Sequence, residues 1–469
     1  MKTPHEILHD LWALTGGEPA ALAAVDLVGA EPALPSSFRV GAAAQAAIAA
    51  AALAAADFDA LRTGRRQRIG VDMRHAAAEF RSERYLRVGG APAPELWDRI
   101  AGVYRCGDGG WVRLHTNFPH HRDGVLALLG CAHAREAVAA ALQGWCAAAF
   151  EEAAAERGLV VAMLRDVAHW DATPQAAAIA RQPLVAIERI GDAPPGMPGD
   201  SRAARPLSGI RVLDLTRIIA GPVCGRTLAA HGADVLLVTS PHLPAVAPLV
   251  IDTGRGKRTT TLHLRDPADA DRLRALVREA DVFVQGYRPG GVAALGFGPG
   301  ALAALRPGIV CVSLSAYGDA GPWTGRRGFD SLVQTASGFN AEEAAAAGSD
   351  TPKPLPCQAL DHATGYLLAL GALAALRRRA TEGGSWHVHA SLARTGLWLR
   401  RLGRLDRGLE TSDPDLDAVR DLLEETPSGF GLLTAVRHAA RLSATPAHWA
   451  LPAMPLGSHP AAWLERPFD

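Results

Sequence analysis

The chain has 469 residues, enough for about two or three domains, and its 48 Lys+Arg are balanced by 48 Asp+Glu. A net charge of zero argues against a nucleic-acid coat or a binder of acidic membranes, both of which need excess positive charge. With 48% hydrophobic and 20% charged residues, the composition is that of a folded protein rather than a disordered one.

The first residues, MKTPHEILHDLW, carry charges where a signal peptide would carry an apolar run. The most apolar stretch, Val40 to Ala56, is mostly alanine and reads as too short and too mild to span a bilayer. Six cysteines (Cys106, Cys131, Cys146, Cys224, Cys311 and Cys357) show no metal-ligand spacing. The expectation is a soluble, reduced, cytoplasmic chain without a metal.

From Ala50 to Arg74 the chain reads as a small-residue helix, a polar turn at Gly64, a short strand at Ile69 and Val71, and a further helix. A Pro/Gly-rich stretch from Ile190 to Gly209 is the best linker. Then IRVLDL (Ile210 to Leu215) reads as a buried strand, followed by an apolar helix to Ala230 and a strand over Asp234 to Val238. Asp266 to Ala280 is helical, with Asp266 as N-cap and Pro267 at the first position. Val282 to Val284 and Ile309 to Leu314 are further strands. Strands alternating with helices predict a parallel α/β sheet. Gly371 to Ala393 repeats the earlier helix–turn–strand order, with its turn at Gly383 and strand at Val388 and Ala390, and Pro183 to Pro195 weakly echoes Gly431 to Pro446.

DLTRIIAGP (Asp214 to Pro222) runs from strand end into a helix N-terminus, where an open α/β sheet binds ligands and free N–H groups meet phosphates. The absence of G-x-G-x-x-G argues against a nicotinamide dehydrogenase. Gly254 to Arg258 sets three cations between glycines, suited either to a phosphate or to a solvated loop. Tyr287 beside Arg288 could sandwich an adenine or form a surface turn. Asp361, ahead of a long apolar helix, is either its N-cap or a carboxylate nucleophile. His362 has no assigned role.

In order along the chain, PLSGIRVLDLTRIIAGP, HGADVLLV, GKR, DVFVQGYRPG, SLSAYGDAGPW, RRGFDSLVQTASG and QALDHATGYLLALGALAAL resemble the family III CoA-transferases, over about Pro206 to Leu399. That superfamily includes the formyl-CoA and carnitine CoA-transferases and α-methylacyl-CoA racemase. The resemblance implies a Rossmann-like parallel CoA-binding sheet with helices on both faces, plus a smaller α+β domain. It implies an enzyme that moves CoA between an acyl-CoA and a free carboxylic acid through an aspartyl anhydride and thioester on Asp361. The implied CoA-binding residues are Arg217, Ile218, Ile219 and Ala220, the basic turn Lys257 and Arg258, and Gly286, Tyr287 and Arg288. Coenzyme A is a substrate, with no nucleic-acid or membrane partner.

Three departures stand out: Thr239 replaces a family Glu, Gly286 stands where Asn is common, and Phe329 occupies the place of a racemase acid/base His. Phenylalanine cannot move a proton, so racemisation is disfavoured. Residues 96–181 resemble the family's small domain. The repeat then reads as a fused duplicate, with 1–90 a first-copy helical and crossover segment, 91–190 a small α+β domain and 191–208 a linker. Residues 209–400 form the CoA-binding domain and 401–469 a return segment. In such a pseudo-dimer, monomeric or paired again as a homodimer, residues 96–181 would lie against Asp361. The alternative is a non-catalytic acyl-CoA-binding paralogue.

Overall fold

The structure, a computed structural model, describes residues 1–197 and 204–465. In chain order the elements at its centre are β1 (Val25–Val28), α1 (Val40–Thr63), β2 (Ile69–Asp72), β3 (Ala186–Gly191) and β4 (Arg211–Leu215). There follow α2 (Ala220–Ala230), β5 (Asp234–Thr239), β6 (Lys257–Thr261), β7 (Val282–Gln285), β8 (Val310–Ser315) and α3 (Asp330–Ala336). The set ends with α4 (Ala359–Glu382), β9 (Ser385–Ser391), α5 (Leu392–Arg401) and β10 (Ala440–Leu442).

The main sheet has the order β6-β5-β4-β7-β8-β9-β3. All neighbours are parallel except β3, which runs antiparallel to β9 at the edge. Its inner strands are buried throughout, as the apolar runs VLLV and VCVSL require of a sheet covered on both faces. The chain enters at β4, steps outward to β6, then resumes on the other side with β7. That reversal opens a crevice beyond the carboxyl ends of β4 and β7, where such sheets bind ligands. The outer edge of β6 is covered: His459 N–H donates to the Thr259 carbonyl at 2.9 Å, and Thr259 N–H donates to His459 Nδ1 at 3.1 Å.

Helices α1 and α4 pack along each other at the centre, and their burial is nearly complete. Against the expectation that Val40 to Ala56 is too short and too mild to span a bilayer, the whole of α1, which ends at the expected turn at Gly64, is, like α4, long and apolar enough to cross a membrane. Both are buried inside the fold, so their apolar surface is taken up by protein. Alanine and glycine let the backbones approach. At Gly365 of α4 an added Cβ would lie 2.6 Å from the Ala220 carbonyl oxygen and 2.7 Å from Val223 of α2.

The two similar passages fold alike and keep one spacing. Val40 and Ala359 open 24-residue helices, Gly64 and Gly383 follow them with positive φ, and Asp72 and Ser391 cap the helix after the strand. A second sheet, β1-β2-β10, mirrors β8-β9-β3. In each the inner pair is parallel and the last strand antiparallel. The closing strands are exchanged: β3, from the end of the segment expected as the small domain, joins the main sheet, and β10 of the expected return segment joins β2. Of the expected linker 191–208, residues 198–203 lie outside the described residues. Between β2 and β3, strands 102–105, 111–114 and 161–163 pair antiparallel and bury their own core around Tyr104, Val112, Leu114 and Phe150.

Gly365→Ala should force α2 and α4 apart and cost about 1–3 kcal/mol, the usual penalty of overpacking. A lower urea midpoint at unchanged m-value is the expected reading.

Candidate active site

The crevice holds a cleft of about 290 Å³, built from three directions. The turn from β4 into α2 brings Arg217, Ile218, Ile219 and Ala220. The turn after β7 brings Gly286, Tyr287 and Arg288, and the first turn of α4 brings Asp361. Phe118, His120 and His121, from the N-terminal half, close the opposite wall. Ile218 has φ 75°, and among the described residues it is the single non-glycine with positive φ. For a β-branched residue this is strained backbone, held in place at the point where the chain must turn over the cleft.

Seven of the nine residues expected to bind CoA therefore meet around Asp361. Lys257 and Arg258 do not, and that expectation is corrected. Lys257 Nζ, 2% exposed, donates to Asp214 Oδ2 and to the Pro222 carbonyl, each at 2.8 Å. The pair fits because Gly225 has no Cβ, which would stand 2.3 Å from Asp214 Oδ2. Arg258 donates to both carboxylate oxygens of Asp234 at 2.8 and 3.0 Å, and to the Ala462 carbonyl at 2.6 Å. Both cations are spent inside the protein, where they fix the β4–α2 turn and the sheet edge. The cations that do reach the cleft are Arg217, Arg288, Arg326 and Arg327, of which Arg326 is paired with Glu152. Arg217 lies 4.6 Å over the Phe118 ring and donates to the Pro244 carbonyl. Arg327 is hydrogen-bonded to His121 Nε2 at 2.9 Å.

Asp361 is the third residue of α4 and does not cap it. That task falls to Asp330, the first residue of α3, whose Oδ2 accepts the N–H groups of Leu360 and Asp361 at 2.8 and 3.0 Å. Gln334 holds the other oxygen of Asp330. The Asp361 carboxylate accepts no hydrogen bond from the described residues, and the residue is only 5% exposed. Burial, then the negative charges of Asp330 and Glu83, push its pKa well above the usual carboxylate range. Burial also pushes Asp330 up, against the N–H groups of Asp361 and Leu360 and the amide of Gln334. Glu83 comes from the N-terminal half and meets His362 Nε2 at 3.2 Å.

Phe329 faces the N-terminal half. His115 lies flat on it, with ring centroids 3.9 Å apart and planes 12° apart. Burial, followed by the charge of Arg113, pushes His115 down to about 3. His121 is likewise driven to about 3 by burial, His120 and Arg327. Both imidazoles are neutral at pH 7. Asp330, Glu83, Arg327 and these histidines were not singled out in the sequence. Arg327 and Asp330 lie in RRGFDS, which carried a signal, whereas Glu83, His115 and His121 sit in no motif. Among the described residues no group of three or more His, Cys, Asp or Glu is placed to hold a metal ion.

Residues 207–406 match the sequence model of CoA-transferase family III. An acyl-CoA transferase of Gibberella moniliformis is 30% identical over 368 residues, covering 69% of this chain and 64% of that protein. A succinate–glutarate CoA-transferase of Agrobacterium fabrum is 34% identical over 152 residues, 29% of this chain and 38% of the relative. The chain thus spans less than two thirds of these curated relatives. A crystal structure of a CaiB/BaiF family protein from Brucella suis is 25% identical, with a TM-score of 0.39 over 49% of this chain and 65% of that one.

Lys257→Met should cost about 3–5 kcal/mol in chemical unfolding, because it leaves the Asp214 charge buried without a counter-charge, with the Thr216 hydroxyl as its remaining donor. Arg327→Ala should stay within about 0.5 kcal/mol of the parent and weaken CoA binding in calorimetry. Asp361→Asn should raise the unfolding midpoint, by more at pH 8 than at pH 5. The folded pKa lies above the unfolded value, so the cost of the buried charge is absent below the unfolded pKa and grows as pH rises.

Proposed function

The chain belongs, through residues 207–406, to the family III CoA-transferase superfamily, and on that premise we propose that it moves CoA from an acyl-CoA to a free carboxylic acid with Asp361 as the nucleophile. The observation that carries this reading is the state of the Asp361 carboxylate: desolvated, accepting no hydrogen bond from the described residues and lining the cleft, while another carboxylate caps its helix.

An Asp361 oxygen attacks the thioester carbonyl, the C–S bond breaks, and CoA leaves as thiolate, giving a mixed anhydride. The thiolate then attacks the aspartyl carbonyl, releasing the donor's carboxylate and leaving an aspartyl-CoA thioester. The acceptor carboxylate attacks that thioester to form a second anhydride, and returning thiolate takes the new acyl group and regenerates Asp361. No proton is gained or lost over the cycle. Splitting one transfer into such steps is what covalent catalysis provides. The first N–H groups of α2, at Ala220 and Gly221, have no acceptor within their helix and lie beside the cleft, where they suit the oxyanion of each tetrahedral intermediate. Arg217, Arg288 and Arg327 suit the CoA phosphates. Phe329 gives the racemase reading no acid/base group at that position.

Incubation with acyl-CoA, quenched with hydroxylamine, should convert Asp361 alone into a hydroxamate, read by peptide mass spectrometry. Asp361→Ala should lower turnover by about 10³-fold or more while retaining CoA binding. Retained turnover in that variant would remove the nucleophile assignment. Because the nucleophile must be ionised, the rate should rise with pH. Asp330→Asn, which removes a neighbouring negative charge but keeps an acceptor oxygen, should move that rise to lower pH.

A further inference from the structure

Asp361 stands at the junction of two cavities. Ile218, Ile219 and Phe329 form the shared wall between them. On one side is the cleft with its four arginines. On the other is a small pocket of about 30 Å³, with room for roughly two or three water-sized groups. Its further apolar lining is Leu96 and Trp97 from the N-terminal half and Val246 and Leu249 from the chain after β5, and the amides of Asn117 and Gln358 join its polar lining.

Three features of the pocket restrict what can enter. It is too small for more than a few heavy atoms. No Lys or Arg lines it, whereas Asp330 and Asp361 do, so a second carboxylate there would meet negative charge with no counter-ion. The nearby Arg113 lies behind Trp97, 5.4 Å from its ring centre, and does not line the pocket. The third feature is positive. His115 and Ser331 both line the pocket, are 4% and 5% exposed, and their Nδ1 and Oγ atoms have no hydrogen-bond partner among the described residues. The neutral imidazole, clamped flat on Phe329, offers one donor and one acceptor, and the hydroxyl offers both. Buried polar groups left unpaired by the protein are matched by a polar group on a ligand.

We propose, resting on the transferase reading, that this pocket is the acyl subsite and selects short acyl groups carrying a neutral hydroxyl or keto oxygen, of lactoyl or glycolyl size, over dicarboxylic and long-chain ones. A site built to hydrogen-bond a substrate hydroxyl rejects the analogue without it, because its own polar groups are then stranded.

The test uses lactoyl-, propionyl-, succinyl- and octanoyl-CoA in two readouts: hydroxylamine-trapped label on Asp361 in the parent protein, and calorimetric affinity for the Asp361→Asn variant. Lactoyl-CoA should exceed propionyl-CoA by about tenfold or more in both, with succinyl- and octanoyl-CoA below propionyl-CoA. His115→Phe, which keeps the stack on Phe329, should drive the lactoyl-to-propionyl ratio toward one. Ser331→Ala should lower the same ratio and serves if the first variant does not fold. Trp97→Ala should open the pocket toward Arg113 and raise succinyl- and octanoyl-CoA relative to lactoyl-CoA. Label without this ranking overturns the subsite and leaves the transferase reading standing. The ranking in affinity without any label leaves the subsite standing and overturns the transferase reading. Neither label nor ranking overturns both.

Discussion

Helices α1 and α4, both rich in alanine and almost wholly buried, lie against each other at the molecular centre, and the rest of the architecture follows from that approach. Bulkier side chains would separate the two halves. With the helices close, β3 can cross to the main sheet and β10 to the smaller one, so each sheet is completed by a strand from the other half. The same interlock carries residues 83–121 to the first turn of α4. Glu83, His115, Phe118 and His121 then stand around Asp361 although hundreds of positions separate them in the chain. The site is therefore a property of the packed pair of halves, not of the α/β sheet alone.

A buried carboxylate with no hydrogen bond is costly, and the fold spends stability on it at one place. Asp330 takes the helix N-terminus, the position that would otherwise hold and quiet the Asp361 charge. Asp361 is left desolvated beside two further negative charges, a setting in which its ionised form is high in energy and reactive toward an electrophile. Several buried ions elsewhere are paired. Lys257 with Asp214, Arg258 with Asp234, and Arg226 and Arg255 with Asp252 all close on partners at 2.6–2.8 Å. The contrast between these closed pairs and the open carboxylate separates scaffold from site.

Much of this was legible in the sequence where the signal is local. Strands β4, β5, β7 and β8 are legible from their apolar runs, whereas β6, with the sequence KRTTT, has no such run and reads as a basic turn. The β4–α2 and post-β7 turns carried recognisable residues, and Asp361 stood in a distinctive passage. What failed was anything decided by a distant partner. Two basic residues just after a glycine look the same whether they meet a phosphate, water or a buried aspartate, and Lys257 and Arg258 meet Asp214 and Asp234. Whether Asp361 caps its own helix depends on Asp330, thirty-one positions earlier. Glu83, His115 and His121 reach the site only through the packing of the two halves, which no periodicity in their own segments announces.

The central claim is that acyl and CoA pass through the carboxylate of Asp361, and isotope transfer tests it most directly. With a donor acyl-CoA and an acceptor acid labelled with heavy oxygen in its carboxylate, the second anhydride bridges one labelled oxygen between acceptor and aspartate. Thiolate attack on the acceptor's carbonyl then leaves that oxygen on the protein. The account predicts that the Asp361 peptide gains heavy oxygen during turnover, and that no other peptide does. New acyl-CoA formed with heavy oxygen absent from Asp361 would contradict it, since the acceptor would then have reached the thioester without passing through the carboxylate.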